Sequence, residues 1–389
     1  MLQAARRFWV LCHLYLGLGI GGVFALLSLT GSVLVFYIEI DRWLTPELRI
    51  VVPEAQPPAS LQEMINALQQ AHPQREYSWR LEIPQRDDEA LVARYYRAEE
   101  TAHLDFAPLI SAVNPYTLQV VSNRFWGQYP MTWLFDLHYT LLLGADGTTL
   151  VAVAGLLGLL SLITGMVLWW PSAGRWRKAL TWRWRRGSAR QIYDLHVLPG
   201  VYSVVLLLLL TVTGIILARP DWFTPLLEKT GALYQVPTLN SVRAAGQQRL
   251  SADVAWAAAQ AVFPDAQLRW LHTPETDDGV YFMRFEQAAE PGRRFPISRV
   301  WVDQYSGEVL ASFDPLSAGF ADTFMAWQHP LHNGEAFGLL GRLLVALSGL
   351  LPTVLLTTGI IRWRQKSVAS RLQKKIHLMI AVTGVTLFI

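Results

Sequence analysis

Nine histidines punctuate the chain, and six of them stand at the ends of long apolar runs. His13, His196 and His377 lie close to the start of three such runs, each next to a basic stretch, while His138, His329 and His332 lie just ahead of two others. An ionisable side chain at membrane depth costs enough free energy that a function is the default expectation for it. The spacing adds to this. His13 precedes the Thr30-Gly31 pair by 17 residues, and His196 precedes Thr213-Gly214 by the same 17. His138 precedes Thr164-Gly165 by 26 residues, and His332 precedes Thr358-Gly359 by the same 26. A repeat of this kind sets His13 opposite His196 and His138 opposite His332. Two imidazoles facing each other in an apolar wall, with no acid or thiolate beside them, suit a flat apolar macrocycle better than a bare ion. Zinc usually takes four ligands and oxygenase iron takes a carboxylate, whereas haem iron needs only two axial ligands from protein. A hydrogen bond between helices is the plainer use of any one membrane histidine. The lone cysteine, Cys12, excludes an intramolecular disulfide and thiolate clusters, and the absence of Cys-x-x-Cys-His excludes covalently attached haem.

The elements that must position these residues are membrane spans. Hydrophobic residues make up 52% of the 389 and charged residues only 16%, too apolar a balance for a soluble chain of this length. The apolar residues are concentrated in runs at 8–38, 148–170, 195–218 and 339–361. Each is long enough as a helix to cross a hydrocarbon core of about 30 Å. A fifth run, 376–389, is read as a short fifth helix. The first run is about twice the apolar length of a secretion signal and is read as a retained anchor. The 171–190 linker holds Arg175, Arg177, Lys178, Arg183, Arg185, Arg186 and Arg190 without an acid. The tail beyond Ile361 holds Arg362, Arg364, Lys366, Arg371, Lys374 and Lys375, also without one. Lys and Arg mark the cytoplasmic side, so both segments and the N-terminus, with Arg6 and Arg7, are expected inside, and the acid-bearing segments between spans outside. The net charge of +3 then reflects topology, and no nucleic-acid partner is needed to explain it.

The outside segments repeat as well. Each opens with a helical stretch ending in proline, Leu61 to Pro73 and Ala252 to Pro264. Each continues in strand-like alternation, at 77–83 and 91–97 in the first and 267–272 and 280–285 in the second. Each closes on a hairpin, at 113–121 and 302–310, the second with Gly307 in its turn. The division expected is a span at 8–38, an outside domain at 39–130, a span with a histidine-bearing entry at 131–170, the basic linker at 171–190, a span at 191–218, a second outside domain at 219–325, a span with a histidine-bearing entry at 326–363 and the short helix at 374–389. The two halves cross the membrane in the same sense, as parallel repeats. Gly17, Gly19, Gly21, Gly22, Gly158 and Gly214 leave room for a large plate or for close helix contact, and the Thr-Gly pairs read as helix-packing devices. Trp126, Tyr129, Trp133 and Trp327 read as an interfacial belt. His72, His103 and His272 read as solvated or locally bonded side chains.

The pattern from His13 to Thr30-Gly31, the run Gln328-His329-Pro330-Leu331-His332-Asn333-Gly334 with Phe337-Gly338 behind it, the exit Thr358-Gly359-Ile360-Ile361-Arg362-Trp363-Arg364 and both hairpins resemble the PepSY-domain transmembrane proteins of bacterial inner membranes. The resemblance covers nearly the whole chain and is nearest to the di-haem siderophore-iron reductases of the ferrioxamine type. It implies a membrane α-helical bundle of four long spans plus a short fifth, with two periplasmic α+β domains built by internal duplication. It also implies about two haem b groups, with iron ligands among His13, His196, His138, His332 and His377, and delivery of electrons to a ferric siderophore from a cytoplasmic or quinol donor. The membrane lipid is the remaining partner. His377 competes with His13 and His196, and His329 with His332. The second span departs from the pattern, reading Asp136-Leu137-His138-Tyr139-Thr140 without the proline and glycine of the fourth. Two other classes fit the elements: a PepSY membrane protein that binds or regulates a periplasmic peptidase or peptide, and a small transporter.

The charge pattern generates a direct test. On a Cys12→Ser background, cysteines placed in either long segment between spans should react with an impermeant reagent added to intact cells, and cysteines in the 171–190 linker should not. Reaction in the linker would reverse the topology.

Overall fold

The computed structural model describes residues 2–183 and 187–367. The fifth apolar run and His377 lie outside the described residues. Among the described residues four helices are long and apolar enough to cross a membrane: Ala4–Leu34, Gly144–Trp169, Ser188–Ala218 and Glu335–Ser367, called here the first to fourth spans. The chain is a multi-pass membrane protein. It divides into a helical unit, made of residues up to Ser32, Ala152–Ile215 and the chain from Leu344, and a sheet unit made of Val33–Val151 and Ile216–Leu343.

Within the helical unit, small residues let the spans meet. A Cβ at Gly158 would lie 2.6 Å from Phe24 of the first span, and one at Gly155 would lie 2.6 Å from Ile215 of the third. Ser32 donates its hydroxyl to the Ala346 carbonyl at 2.8 Å, tying the first span to the fourth. Thr30 and Thr213 bond back to carbonyls of their own helices.

The sheet unit holds five helices of eight residues or more outside the spans: α1 (Tyr37–Leu44), α2 (Leu61–Ala71), α3 (Pro130–Thr140), α4 (Ala252–Gln260) and α5 (Phe320–His332). Its strands are β1 (Trp79–Glu82), β2 (Leu91–Tyr95), β3 (Leu109–Val113), β4 (Val120–Phe125), β5 (Gln267–His272), β6 (Val280–Glu286), β7 (Ser298–Asp303) and β8 (Val309–Phe313). Two antiparallel meanders are therefore present, as the alternation predicts. They are not two separate domains, however, because β1 pairs with β5 and all eight strands form one sheet in the order β4-β3-β2-β1-β5-β6-β7-β8. Each meander alone would leave an unpaired edge at its first strand, and joining the two edges removes both.

One face of this sheet is apolar. Trp79, Leu81, Leu91, Ala93, Tyr95, Leu271, Met283, Phe285, Val300 and Val302 pack there beneath α2 and α4. Ser60 and Glu63 form a capping box on α2, and Ser251 caps α4. The two helix starts are also cross-tied: Asp253 accepts from the Leu61 and Gln62 amides, and Gln62 accepts from the Ala252 amide. A carboxylate at a helix N-terminus is favoured by the helix dipole. In the hairpin turns, Gly307 takes φ +75° as its residue type allows, while the equivalent position of the first hairpin is Leu118 at φ +61°.

The helices break at three places where the sequence reading runs them on. The first span ends at Leu34 and not at 38, because Tyr37 and Asp41 belong to α1 and are buried in the sheet unit. The stretch 131–170 is not one helix: α3 ends at Thr140, and Leu141 and Leu142 take φ of +51° and +61° before the second span begins. Likewise 326–363 is broken after His332, where Gly334 takes φ +79° ahead of the fourth span.

The opposite face of the sheet carries a buried ionic group. Glu82 on β1 lies 3.3 Å from Arg49, 3.5 Å from Arg294 and 4.0 Å from Arg94, and Arg49 also bonds Asp41 at 2.8 Å. Burial pushes the Glu82 carboxyl up, but Arg294, Arg49 and Arg94 outweigh it and hold the group well below the usual carboxylate range. A carboxyl depressed in this way stabilises the fold above its ordinary pKa near 4.3, and that contribution is lost as the pH falls toward its folded value. Glu82→Gln leaves Arg94 and Arg294 without a carboxylate and should cost about 3–5 kcal/mol, seen as a large fall in the midpoint of thermal unfolding in detergent at pH 7. An unchanged midpoint would show that the cluster does not hold the sheet.

Candidate functional site

Histidines sit in facing pairs within each unit. In the helical unit the rings of His13, on the first span, and His196, on the third, have their centres 6.2 Å apart with planes at 74°. His13 Nδ1 lies 3.1 Å from the Ser161 carbonyl oxygen and 3.1 Å from the Thr164 hydroxyl, both on the second span. His196 Nδ1 lies 3.0 Å from the Leu355 carbonyl oxygen and 3.0 Å from the Thr358 hydroxyl, both on the fourth span. A carbonyl oxygen only accepts, so Nδ1 is the donor in both rings and Nε2 keeps its lone pair. The same carbonyls accept from the threonine hydroxyls, at 2.9 Å for Thr164 to Ser161 and 3.1 Å for Thr358 to Leu355.

Glycine completes each socket. A Cβ at Gly165 would lie 3.1 Å from His13 Cε1, and one at Gly359 would lie 3.4 Å from His196 Cε1. These two Thr-Gly pairs therefore do more than pack helices, which is how the sequence alone reads them. They hold the histidine rings. The signal was the shared 26-residue spacing, but it pointed to the wrong histidines, because sequence gives separation along one span and the contacts run between neighbouring spans. Gly17 is one turn from His13 on the same helix face, and a Cβ there would meet no atom within 4 Å.

In the sheet unit His138, near the end of α3, and His332, at the end of α5, have ring centres 6.3 Å apart with planes at 42°. Each helix is followed by a tight reversal into a span. A Cβ at Gly147 would overlap the Thr140 carbonyl, and one at Gly341 would overlap the Gly334 carbonyl, so both junctions need a glycine at the point of approach. The first half turns through Leu141, Leu142 and Gly144 at positive φ, and the second through Gly334 and Gly338, Gly144 being the counterpart of Gly338. This answers the missing proline and glycine beside His138, since the chain makes the turn without them. Asp136, two residues before His138, accepts from Trp126 Nε1 at 2.8 Å and steadies α3.

Other residues fall elsewhere. His329 is one turn from His332 and meets Phe295 edge-on at 5.6 Å. His72 is buried and bonded to Asn123 at 3.0 Å, and His103 is exposed. His272 is half-buried, with its Nε2 enclosed without a hydrogen-bond partner. Trp126 and Tyr129 belong to a buried cluster with Leu48, Val92 and Ile110, which removes them from the interfacial belt, while Trp133 and Trp327 remain exposed. Among the described residues no group of three or more His, Cys, Asp or Glu side chains could hold a metal ion.

The fold and site thus define a multi-pass membrane protein with an antiparallel sheet unit and two facing histidine pairs. A family model described as PepSY-associated TM region matches residues 10–366, and the chain belongs to that family. An uncharacterised protein of Pseudomonas aeruginosa is 37% identical over 81 residues, a stretch that spans 21% of this chain and 20% of that one.

The sockets predict an asymmetry. Gly165→Ala, whose Cβ presses on His13, should cost about 1–3 kcal/mol by overpacking, read as a lower midpoint of thermal unfolding in detergent, whereas Gly359→Ala should stay near wild type. Equal behaviour of the two variants would show that these glycines do not set ring position.

Proposed function

We propose that this protein is an inner-membrane haem-containing reductase that passes electrons across the membrane to a ferric siderophore in the periplasm and releases Fe(II). The observation that carries this reading is the ring separation in the two histidine pairs. Metal–imidazole bonds of about 2.0–2.1 Å, with about 1.15 Å from ring nitrogen to ring centre, would put the centres of two imidazoles on opposite sides of one ion about 6.3–6.5 Å apart. The two pairs measure 6.2 and 6.3 Å. The chemistry of the donors agrees, since among the described residues each pair offers two imidazoles and no cluster of three or more His, Cys, Asp or Glu, which suits a haem.

His13 with His196, and His138 with His332, would hold one haem b each, and haem iron would supply one-electron transfer. The chain's own contribution at the first pair is to fix the tautomer. The hydrogen bonds from Nδ1 to the Ser161 and Leu355 carbonyls leave Nε2 as the coordinating atom, orient the rings and raise their basicity. Gly17 leaves space beside His13 that a larger side chain would fill. Siderophores hold Fe(III) far more tightly than Fe(II), so a single electron delivered to the complex is enough to loosen the metal, and no proton donor or nucleophile is required of the protein. The electron donor would be a cytoplasmic reductant or a membrane quinol.

Protein reduced chemically under anaerobic conditions should be reoxidised by a ferric siderophore, with Fe(II) trapped by a ferrous chelator. His332→Ala should block this reoxidation while leaving the protein reducible. Reduced protein that persists in excess ferric siderophore, yet reoxidises with a quinone, would remove the substrate from the proposal.

A further inference from the structure

The sheet face opposite α2 and α4 carries more positive charge than the protein neutralises. Arg80 on β1 stands opposite His272 on β5, and Trp270 on β5 stands opposite Arg284 on β6, which in turn stands opposite Arg299 on β7. Arg80, Arg284 and Arg299 therefore share one face. Neighbouring carboxylates are committed elsewhere. Glu82 is held by Arg49, Arg94 and Arg294. Glu290 accepts from the Ile297 and Ser298 amides and the Ser298 hydroxyl, and Asp322 accepts from the Tyr234 amide.

Among the described residues no carboxylate lies within 4.0 Å of Arg80, Arg284 or Arg299, and the Nε atoms of all three are buried without a hydrogen-bond partner, as is Nε2 of His272. The one hydrogen bond made by these guanidiniums is from Arg80 to the Tyr96 hydroxyl at 3.2 Å. Their flat faces rest on aromatic rings, Arg80 on Trp270 at 4.2 Å and Arg299 on Phe313 at 5.7 Å. Burial, with Arg299 and Arg80 nearby, lowers the Arg284 guanidinium to about 9, and burial with the adjacent arginines lowers His272 to about 3. Unpaired buried cations are costly. All three arginines are half-buried and not sealed from solvent.

We infer that this face binds an anion carrying two or more carboxylates, held by Arg80, Arg284 and Arg299 beside the stacked rings of Phe282 and Trp301. Arginine is suited to the task because its fork matches a carboxylate bidentately. The stacked rings of Phe282 and Trp301, 5.0 Å apart, supply a flat apolar wall. The site is also tied to the histidine pair of the same unit: Trp270 stacks on Phe295 at 5.5 Å, and Phe295 meets His329, one turn from His332. On the reductase reading, and resting on it, the substrate class becomes a carboxylate-bearing ferric chelate.

The test is calorimetric titration of the full chain in neutral detergent with citrate, and with acetate as the single-charge comparator. Citrate should bind one to one and far more tightly than acetate. Arg284→Gln and Arg299→Gln should each weaken citrate about tenfold or more, while Arg249→Gln, an exposed arginine paired with Asp277, should not change it. Without citrate, the two site variants should unfold at or above the wild-type temperature, because each removes an uncompensated cation. If citrate binds haem-loaded and haem-free protein alike, the ligand is a soluble polycarboxylate. If it binds only haem-free protein and Arg284→Gln lowers haem retention, the acids are the haem's own propionates. Either result upholds the site. Absence of citrate binding to both forms, with haem retention unchanged in Arg284→Gln, would overturn it, and so would variants that unfold more easily yet bind citrate normally. The titration needs no haem, so a colourless protein that binds citrate would remove the reductase reading and keep this site.

Discussion

Two hydrogen bonds set what the helical unit can do: Nδ1 of His13 to the Ser161 carbonyl, and Nδ1 of His196 to the Leu355 carbonyl. A carbonyl inside a helix normally spends its lone pair on the amide four residues on, and it has a second one to offer. A threonine hydroxyl and an imidazole share that capacity here, and the ring is thereby held by a neighbouring span and not by its own. The cost of a polar group at membrane depth is met, the proton is fixed on Nδ1, and Nε2 keeps its lone pair. The glycine after Thr164 belongs to the same arrangement, since a Cβ there would press on the His13 ring, whereas a Cβ at Gly359 would only reach ordinary contact with His196.

The sheet unit meets a different constraint. Its eight strands are continuous only because β1 and β5 pair, and the residues at that seam divide sharply by face. Leu81 opposite Leu271 is fully buried in the apolar core, whereas Arg80 opposite His272 and Glu82 opposite Trp270 point into a polar and aromatic layer. Fully burying one leucine is worth about 1.5–3 kcal/mol, so the apolar face holds the two meanders together. The polar face depends on Glu82 to offset three of its arginines, and it is left with Arg80, Arg284 and Arg299 in excess.

Much of this was legible in the residues. The four spans were readable because apolar runs of that length have few other uses, and α2, α4 and the hairpins because proline, turn residues and period-two alternation mark them. His13 with His196 and His138 with His332 were paired correctly in space by nothing more than equal spacings. The joining of the two meanders was not readable, since an edge strand looks the same in sequence whether it ends a domain or pairs with another. The breaks at Leu141–Leu142 and after His332 were hidden for a similar reason: leucine in the left-handed region leaves no compositional mark. The hold of Thr164 on His13 was hidden because contacts between helices depend on which faces meet, and a single sequence records only the order along each one. The arginine face was invisible until the register of β1, β5, β6 and β7 aligned residues far apart in the chain.

The central claim is that each facing histidine pair holds one haem. It is tested most directly by the visible spectrum and haem content of the purified protein and of four single variants, expressed in cells supplied with haem. The account predicts about two non-covalent low-spin haems per chain, one spectral component lost in both His13→Ala and His196→Ala, and the other lost in both His138→Ala and His332→Ala. A colourless protein, or a pigment that survives all four substitutions, would contradict it.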